Sequence, residues 1–450
     1  MGVSHSVRRA SLSLSGDVSL DSFEVLRAIG KGSFGKVCIV QMKRNKKMYA
    51  MKYMNKEQCL NKGAIRNVVR EVEILSKLDH PFLVNLWFSF QDAEDMFMVV
   101  DLLLGGDLRY HLLQSVYFPK EDIRLYLCEI ASALDYLRLN SIVHRDVKPE
   151  NLLLDAEGHV HLTDFNIATC LPPKQRATSV SGTKPYMAPE VYYCSYDSKI
   201  GYGPAVDWWS LGVCLFEVAT GIRPFDIHSV TSSQEAINMM ERLEFPEEID
   251  EDLKEVLEKL MERDENIRIT NSDRLRSYSF VENVSVSKLY AKELQPQFLP
   301  SKNHLNCDPT LELEEMIIET RPLHKKKKRL NKHRSVSTKE TVKKEENDSD
   351  PEKTNGEGRF IEEFPTYNRE KEIARIATEA KENAWEAELL LAMAKSDPNP
   401  EKVPLNRLKV TRISEKHRVS SSEIKARIEG SLAQLENKNI PEDKRSELQE

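Results

Sequence analysis

Short runs of apolar residues separated by turn residues fill the first part of the chain. Their β-branched and aromatic side chains predict strands over residues 23–29, 37–41, 48–53, 84–90 and 96–103. Between the third and the fourth strand, Val68, Val72 and Leu75 recur at helical spacing, which predicts a helix over residues 65–78. The first part of the chain is therefore predicted to be a small strand-rich unit with one principal helix.

After about residue 105 the apolar pattern changes to a helical period. It predicts helices over residues 123–139, 205–220 and 253–261. Strands followed by helices indicate the α+β class, with a larger helical part behind the strand-rich one. From about residue 300 onward charge runs dominate, and that tail has too little apolar surface to fold alone, so much of it is expected to be disordered.

Two stretches of the tail keep a helical period. The apolar stripe of residues 368–395 consists of Ile373, Ile376, Ala377, Ala380, Ala384, Ala387 and Leu391, and a second stripe consists of Ile424, Ile428, Leu432 and Leu435. Each predicts an amphipathic helix that packs on the folded part, pairs with a partner or forms only on binding. Residues 324–334 hold seven Lys or Arg and no acid, which fits a nuclear signal, a lipid-binding strip or a solvated charge run.

Composition excludes several classes of protein. The 450 residues include 65 Lys and Arg against 72 Asp and Glu, a net charge of −7, which argues against nucleic-acid binding through overall charge. No apolar run approaches the roughly 18 residues of a membrane-spanning helix, and a signal-peptide core is not expected either. The seven cysteines are scattered, so neither a disulfide framework nor a zinc ribbon is expected, and a reducing compartment fits.

A glycine-rich turn at residues 30–37 joins the first two predicted strands and reads Gly-Lys-Gly-Ser-Phe-Gly-Lys-Val. Glycines let a backbone approach phosphates closely. A P-loop requires Ser or Thr where Val37 stands, and a dinucleotide fingerprint requires a helix where a strand is predicted. On this motif alone, an ordinary glycine hairpin remains as good an interpretation as a phosphate-binding loop.

Further motifs decide between these interpretations. Lys52 on the third strand precedes Glu71 on the helix by nineteen residues, and such a pair aims an ammonium at phosphates, although an exposed ion pair is the default for a lone Lys and Glu. Residues 144–151 fit H-R-D-x-K-x-x-N, and residues 164–166 read Asp-Phe-Asn. With Ala-Pro-Glu at residues 188–190, the order and spacing resemble a eukaryotic protein kinase over about residues 23–280.

The details resemble one group of these kinases. The segments similar to the AGC group are residues 32–37, 99–108 and 207–209, and those similar to its YANK family are residues 96–111, 164–166, 306–310 and 323–330. Residues 364–371 look like that family's F-x-x-F-N-R-E-K. This segment is either a remnant of the AGC hydrophobic motif, which docks aromatic side chains on the small lobe, or a pair of surface aromatics in a disordered tail.

The resemblance implies a bilobal protein kinase fold that transfers the γ-phosphate of ATP to Ser or Thr hydroxyls of proteins, with Mg²⁺, or alternatively Mn²⁺, as the metal. Asp146 would orient the acceptor hydroxyl, Asn151 and Asp164 would hold the metal, and Lys148 would stabilise the phosphoryl group. The implied ATP-binding residues are Ile29, Gly30, Lys31, Gly32, Ser33, Phe34, Gly35, Lys36, Val37, Ala50, Lys52, Glu71, Val100, Asp101, Leu103, Asp107, Leu153 and Asp164.

Other residues match positions with structural or recognition roles. Asp207 resembles the acid that braces the catalytic loop, and Glu190 the acid that pairs with a later arginine, here Arg268. Thr183 resembles a residue that contacts the catalytic Asp and Lys, which favours Ser/Thr over Tyr as acceptor. The acids that meet substrate arginines in basophilic AGC kinases correspond to Glu150, Asp107 and Glu217, which hints at basic substrates.

Asn166 departs from the family pattern, which has glycine there. Asn is the non-glycine residue that best tolerates left-handed backbone angles, so metal binding by Asp164 stays compatible, while switching to an inactive state is in doubt. Asn166 alone favours the alternative function, an ATP-binding pseudokinase scaffold. The complete set of Lys52, Asp146, Asn151 and Asp164 favours the enzyme.

Two candidate modification sites concern regulation and cellular location. Ser179 stands where AGC kinases carry an activation-loop phosphosite, and Arg145 would pair with a phosphate there. Residues 1–6 read Met-Gly-Val-Ser-His-Ser, which fits myristoylation of Gly2. One acyl chain followed by Arg8 and Arg9 gives marginal, reversible membrane binding. The expected location is cytoplasmic with reversible membrane association, with the nucleus as the alternative.

The chain is thus expected to have four zones. They are an acylated and basic segment (1–22), a protein kinase domain (23–280), a tail that wraps the kinase and ends in the basic run (281–335), and a charged, mostly disordered tail with two amphipathic helices (336–450). ATP and protein substrates are the expected partners, and nucleic acid is not.

Overall fold

The computed structural model describes residues 17–31, 35–197, 199–304, 306–307 and 364–396. Its main sheet is antiparallel throughout, in the order β1-β2-β3-β5-β4-β10. The strands are β1 (Phe23–Lys31), β2 (Gly35–Met42), β3 (Met48–Asn55), β4 (Leu86–Gln91), β5 (Asp95–Val100) and β10 (Tyr367–Asn368). The first five strands come from the predicted strand-rich part, and β10 adds a strand from the tail to the exposed edge of β4.

Helices α1 (Lys56–Asn61) and α2 (Ile65–Leu75) complete the small lobe. Val68, Val72 and Leu75 are buried along one face of α2, as their helical spacing predicts. The other face of the sheet has its own apolar cluster of stacked and edge-on rings from Phe23, Tyr49, Phe88, Phe90 and Phe97. Two buried layers therefore fix the strands that carry the glycine-rich turn and Lys52.

The large lobe is mainly helical. Its helices are α3 (Leu108–Leu113), α4 (Lys120–Leu139), α5 (Pro189–Tyr193), α6 (Ala205–Thr220), α7 (Ser233–Met239), α8 (Glu251–Leu260), α9 (Ser272–Leu275) and α10 (Val286–Tyr290). Its strands pair as two short ribbons, β6 (Ile142–Val143) with β9 (Thr169–Cys170) and β7 (Leu152–Leu154) with β8 (Val160–Leu162). Helix α6 is buried almost all round. The predicted α+β class, with a small strand-rich lobe and a larger helical lobe, is confirmed.

The segment after the large lobe runs back toward the small lobe. The amides of Gln297 and Phe298 donate to the carboxylate of Asp122, each at 2.7 Å. The side-chain amide of Asn306 donates to the Leu104 carbonyl at 2.9 Å, beside the segment that connects the lobes. The described part of the predicted wrapping tail therefore lies against the two-lobed domain, while residues 305 and 308–335 lie outside the described residues.

The tail docks on the small lobe through residues 364–369. Phe364 is 4% exposed and joins the core, and the Ser89 hydroxyl donates to the Pro365 carbonyl at 2.6 Å. Tyr367 pairs with Ser89 in the sheet, and Arg369 begins α11 (Arg369–Ser396) with its guanidinium 2.5 Å from Asp79 Oδ1. The segment predicted to dock its aromatics does so, and the alternative of a surface aromatic pair is wrong.

Some expected elements differ in extent. The predicted strand 96–103 ends at Val100, and the predicted helix 65–78 ends at Leu75. In α11, Ile373 and Ile376 are 49% and 45% exposed, so this part of the apolar stripe does not pack on the two-lobed domain. The second predicted tail helix and the basic segment 324–334 lie outside the described residues, among which no helix has the length and apolarity to cross a membrane.

Candidate active site

The glycine-rich turn connects β1 and β2, where Gly30 lies opposite Val37. A Cβ atom on Gly35 would lie 1.8 Å from the Tyr53 carbonyl oxygen, so only glycine allows β2 to approach β3 this closely. A Cβ on Gly30 would meet only the Val37 side chain, at 3.6 Å. Of the residues predicted to bind ATP here, Gly32, Ser33 and Phe34 lie outside the described residues.

Lys52 and Glu71 form the predicted ion pair between β3 and α2. Lys52 Nζ lies 2.8 Å from Glu71 Oε1 and 3.0 Å from Oε2, and it is 3.5 Å from Asp164 Oδ1. Burial by itself lowers the pKa of Lys52, but the two carboxylates outweigh it and hold this pKa above its usual value. Lys52 is therefore a fixed cation between α2 and the Asp164 loop, where it can meet phosphates.

The catalytic loop collects the groups expected to handle the acceptor hydroxyl. The Thr183 hydroxyl donates to Asp146 Oδ1 at 2.6 Å, and Lys148 Nζ lies 2.7 Å from Asp146 Oδ2 and 3.0 Å from Thr183 Oγ1. The Asn151 side-chain amide donates to the Asp146 carbonyl at 2.8 Å. Burial raises the pKa of Asp146, but the hydrogen bonds from Lys148 and Thr183 outweigh burial and hold the pKa below its ordinary value.

Asp207, on the buried helix α6, holds the backbone of the catalytic loop. Its carboxylate accepts the backbone N–H of His144 at 2.8 Å and that of Arg145 at 2.7 Å. Arg145 has a positive φ of 69°, a strained conformation for a non-glycine residue. The two bonds from Asp207 stabilise this turn, which fixes the direction in which Asp146 leaves the loop.

The segment between the lobes follows β5 and begins at Asp101. Asp101 Oδ2 accepts from the side-chain amide of Asn85 at 2.8 Å, and Asp101 Oδ1 accepts from Trp87 Nε1 at 2.6 Å. These bonds turn the chain out of the sheet after Val100, which is why β5 is shorter than predicted. Asp101 is thus occupied in holding the connection, and its backbone and that of Leu103 remain as the predicted contacts for adenine.

The remaining predicted ATP-site residues lie either near this connection or on the β1–β2 hairpin. Asp107 bridges to Leu153 in the backbone of the large lobe, and Asp107 Oδ1 accepts the Tyr110 N–H at 2.8 Å as the N-cap of α3. Ala50 is buried on β3 and pairs with Val100 across the sheet. Ile29, Lys31, Lys36 and Val37 lie on the β1–β2 hairpin, where Lys31 pairs with Lys36.

Comparison with known proteins supports the resemblance to a protein kinase. A protein kinase domain model matches residues 23–280. Human serine/threonine-protein kinase 32B is 53% identical over 337 residues, which cover 74% of this chain and 81% of that protein. Mouse serine/threonine-protein kinase 32C is 46% identical over 406 residues, which cover 89% of this chain and 83% of that protein. The chain belongs to the protein kinase family.

This kinase is a serine/threonine protein kinase that uses ATP and a divalent metal to phosphorylate proteins. Its similarity to the two kinases named 32B and 32C places it in the YANK family of the AGC group. A RAC family kinase homolog from Dictyostelium discoideum is more distant, 39% identical over 286 residues, or 63% of each chain. The comparisons do not favour the pseudokinase alternative.

The activation segment of the kinase places its predicted phosphosite beside a cation. Ser179 Oγ accepts from Arg145 Nη1 at 2.8 Å.

Two other predicted positions lie further from the phosphosite. The buried Arg268 makes a two-point contact with Glu190, at 2.6 Å to Oε1 and 3.0 Å to Oε2, as predicted. Asn166 directs an oxygen, Oδ1, into a buried position where no hydrogen-bond partner is found among the described residues.

Sequence reasoning missed the role of Arg109. This side chain lies among Glu150, Glu217 and Tyr186, and it contacts all three. Its partners are 41, 108 and 77 residues away along the chain. No spacing rule connects residues so far apart, and only the charge of Arg109 within a family motif could have drawn attention to it.

Proposed function

We propose that the kinase works with Mg²⁺, held by Asn151 and Asp164 together with the phosphates of ATP. Among the described residues no group of three His, Cys, Asp or Glu could hold a metal by itself. One carboxylate and one amide are hard oxygen ligands, and Mg²⁺ is commonly bound by one or two carboxylates plus substrate phosphates. When bound, the metal neutralises charge on the phosphates.

The protein's own groups position the acceptor hydroxyl. With its pKa held below the ordinary value, Asp146 is a carboxylate at neutral pH and accepts a hydrogen bond from a Ser or Thr hydroxyl of the substrate. Lys148 and Thr183 fix both of its oxygens. Such a weak base orients the hydroxyl and takes its proton late, which suits phosphoryl transfer, where positioning and electrostatics supply the rate.

The observation that carries the proposed transfer of phosphate to Ser or Thr is the joint placement of Asp146, Lys148 and Thr183. The test is phosphate transfer from ATP to an arrayed Ser/Thr peptide library in Mg²⁺, Mn²⁺, Ca²⁺ or Zn²⁺. We expect transfer with Mg²⁺, weaker transfer with Mn²⁺, and none from Asp164→Ala. Asp226→Ala, which removes an exposed carboxylate, is the matched control and should retain activity.

A second measurement separates metal choice from catalysis. ATP with Mg²⁺ should stabilise the wild-type kinase thermally but stabilise Asp164→Ala much less. Transfer with Mn²⁺ but not Mg²⁺ would overturn the metal assignment. Thermal stabilisation by ATP without any transfer, in every metal, would overturn the catalytic roles and return the chain to a scaffold.

We also propose that the kinase is cytoplasmic and associates reversibly with membranes through a myristoyl group on Gly2. The support is the sequence of residues 1–6 with Arg8 and Arg9, all of which lie outside the described residues. Gly2→Ala should lose its membrane-bound fraction in cell fractionation, whereas Val3→Ala, at a variable motif position, should keep it. Equal partitioning of Gly2→Ala and the parent would overturn the anchor.

A further inference from the structure

Arg109 lies at the second position of α3 and has a side chain only 23% exposed. Its Nε donates to Glu150 Oε1 at 2.9 Å, and its Nη1 and Nη2 donate to the two oxygens of Glu217 at 2.8 and 3.0 Å. Nη2 also contacts the Tyr186 hydroxyl, which itself donates to Glu217 Oε2 at 2.6 Å. The guanidinium therefore uses most of its donors on two carboxylates and one phenol.

This cluster lies beside the position of the acceptor hydroxyl. Glu150 follows Asp146 by four residues in the same loop, and Tyr186 follows Thr183 by three. Thr183 in turn donates to Asp146 at 2.6 Å. A peptide that presents its Ser or Thr to Asp146 must therefore pass close to Glu150 and Glu217, which we call the acidic pocket.

An empty acidic pocket would attract an arginine of the substrate, because guanidinium and carboxylate form strong two-point hydrogen bonds. Here Arg109 already makes those bonds from within the chain. It also reduces the formal charge of the pocket from −2, for two carboxylates, to −1. A substrate arginine would have to displace a tethered competitor, whose effective concentration is of the millimolar order or higher, while peptides bind at much lower concentrations.

We propose that Arg109 is a specificity-determining residue, a permanent occupant of the acidic pocket that removes the preference for an arginine in the substrate. This inference rests on the Ser/Thr kinase function of the site. It predicts that the acids of the pocket, which by themselves suggest basic substrates, do not select them. The substrate class of this pocket is a Ser- or Thr-containing peptide in which an arginine near the acceptor gives no advantage.

The test uses a neutral parent peptide with one serine and a series in which a single arginine scans the flanking positions. The readout is kcat/KM for each arginine peptide divided by kcat/KM for the parent. Wild type should give ratios near unity throughout. In Arg109→Ala the ratio should rise about tenfold at one or two positions, the size expected for a new charge-assisted pair.

Two further variants identify the cause. Arg109→Ala combined with Glu217→Gln should lose the gain, and it also avoids leaving the buried Glu217 unpaired. Arg109→Lys, which keeps the charge, should stay near the wild-type ratios. Arg138→Ala, which removes an arginine that pairs with Asp135 on α4, is the matched control and should not change them.

Two results would overturn the proposal. One is a wild-type enzyme that favours arginine about tenfold or more and loses that preference in Glu217→Gln, because the pocket would then be open despite Arg109. The other is a folded Arg109→Ala variant whose ratios equal those of wild type. Labelling of the parent peptide by wild type but not by Asp164→Ala tests the kinase function separately, so its failure cannot be mistaken for failure of this proposal.

Discussion

Lys52 Nζ contacts Glu71 Oε1 at 2.8 Å and thereby joins strand β3 to helix α2. The same ammonium lies 3.5 Å from Asp164 on the loop that carries a predicted metal ligand. Three separate segments therefore meet at one cation, and Glu71, with a side chain 4% exposed, has little freedom to contact anything else. The position of α2 controls where the Lys52 ammonium points.

Glu71→Gln keeps the shape of this side chain but removes its charge. Lys52 would then turn toward Asp164, so the ammonium would be misplaced for the phosphates. We expect kcat/KM for ATP to fall about tenfold to 100-fold, the usual effect of misplacing a positioning group. Steady-state kinetics with varied ATP at saturating peptide would measure this.

Glu73→Gln is the matched control for that change. Glu73 lies two positions further along α2, where it is exposed, and its substitution should leave ATP kinetics within about twofold of wild type. If Glu71→Gln behaved like Glu73→Gln, the ion pair would have no part in ATP binding or transfer.

The kinase is predicted to gain activity when Ser179 is phosphorylated, because Arg145 already donates to the Ser179 hydroxyl. A phosphate adds charge and acceptors at that point, so it would tighten the hold on the residue preceding Asp146. We expect protein phosphorylated at Ser179 to be about tenfold more active than Ser179→Ala, the gain that one new charge-assisted bond supplies. Phosphate occupancy would be measured by mass spectrometry beside each assay.

Ser181→Ala serves as the control, since the Ser181 hydroxyl donates to Ser179 at 3.2 Å and belongs to the same segment. It should keep most of the activity. Equal activity of Ser179→Ala and fully phosphorylated wild type would remove Ser179 from the regulation of this kinase.

The placement of the predicted catalytic residues could be foreseen because their motifs are local in sequence. Asp146, Lys148 and Asn151 lie within six residues, and the structure brings Thr183 to them as the resemblance implied. The strand over residues 96–103 was predicted too long, because apolar content continues past Val100 while Asp101 bonds to Asn85 and Trp87 and turns the chain. A pattern of apolar residues carries no information on such a tertiary contact.

The helix over residues 65–78 was overestimated for a related reason. Leu78 is 2% exposed and belongs to the core, although α2 ends at Leu75. Burial and helical conformation are separate properties, and periodicity detects only the first with certainty. The neutralisation of Glu217 by Arg109 depends on a contact across 108 residues, so it required the folded chain.

The docked tail gives a further prediction. Phe364→Ala should release residues 364–369 from the small lobe. Truncating a buried phenylalanine costs about 3 to 5 kcal/mol, which is more than the pairing of a two-residue strand is expected to contribute to docking. Amide hydrogen exchange should speed up at Tyr367 and at its partner Ser89 on β4. Mass spectrometry of peptides from both segments would measure it.

Trp385→Ala on the same tail helix is the comparison. Trp385 is 66% exposed, so its loss should leave exchange at Tyr367 and Ser89 unchanged. Protection of β4 that persisted in Phe364→Ala would show that Arg369 and the strand pairing hold the segment without the aromatic anchor.

Buried His80 predicts how stability depends on pH. Its Nδ1 accepts the Phe82 N–H at 3.2 Å, and its ring packs against Tyr136 and Tyr290. Burial, together with the charge of nearby His161, lowers the pKa of His80 from 6.5 to about 3. In the folded kinase the ring therefore stays neutral, whereas in the unfolded chain it takes up a proton below pH 6.5.

The sign follows directly from this difference. The contribution of His80 to stability is complete above the unfolded pKa of 6.5 and is lost progressively as the pH falls toward about 3. Between pH 7 and pH 5 wild type should lose about 2 kcal/mol of unfolding free energy through this group. His80→Asn keeps an acceptor for the Phe82 N–H but cannot titrate, so its loss over the same interval should be smaller by that amount.

Urea unfolding at both pH values would measure the difference, with His228→Asn as the control. His228 is exposed beside Asp226, so its replacement should leave the wild-type pH dependence in place. An identical loss of stability in wild type and His80→Asn would mean that His80 accepts a proton within the folded kinase. In that case the contacts with Tyr136 and Tyr290 must open as the pH falls, and the exchange of amides near Leu78 and Asp79 should rise with them.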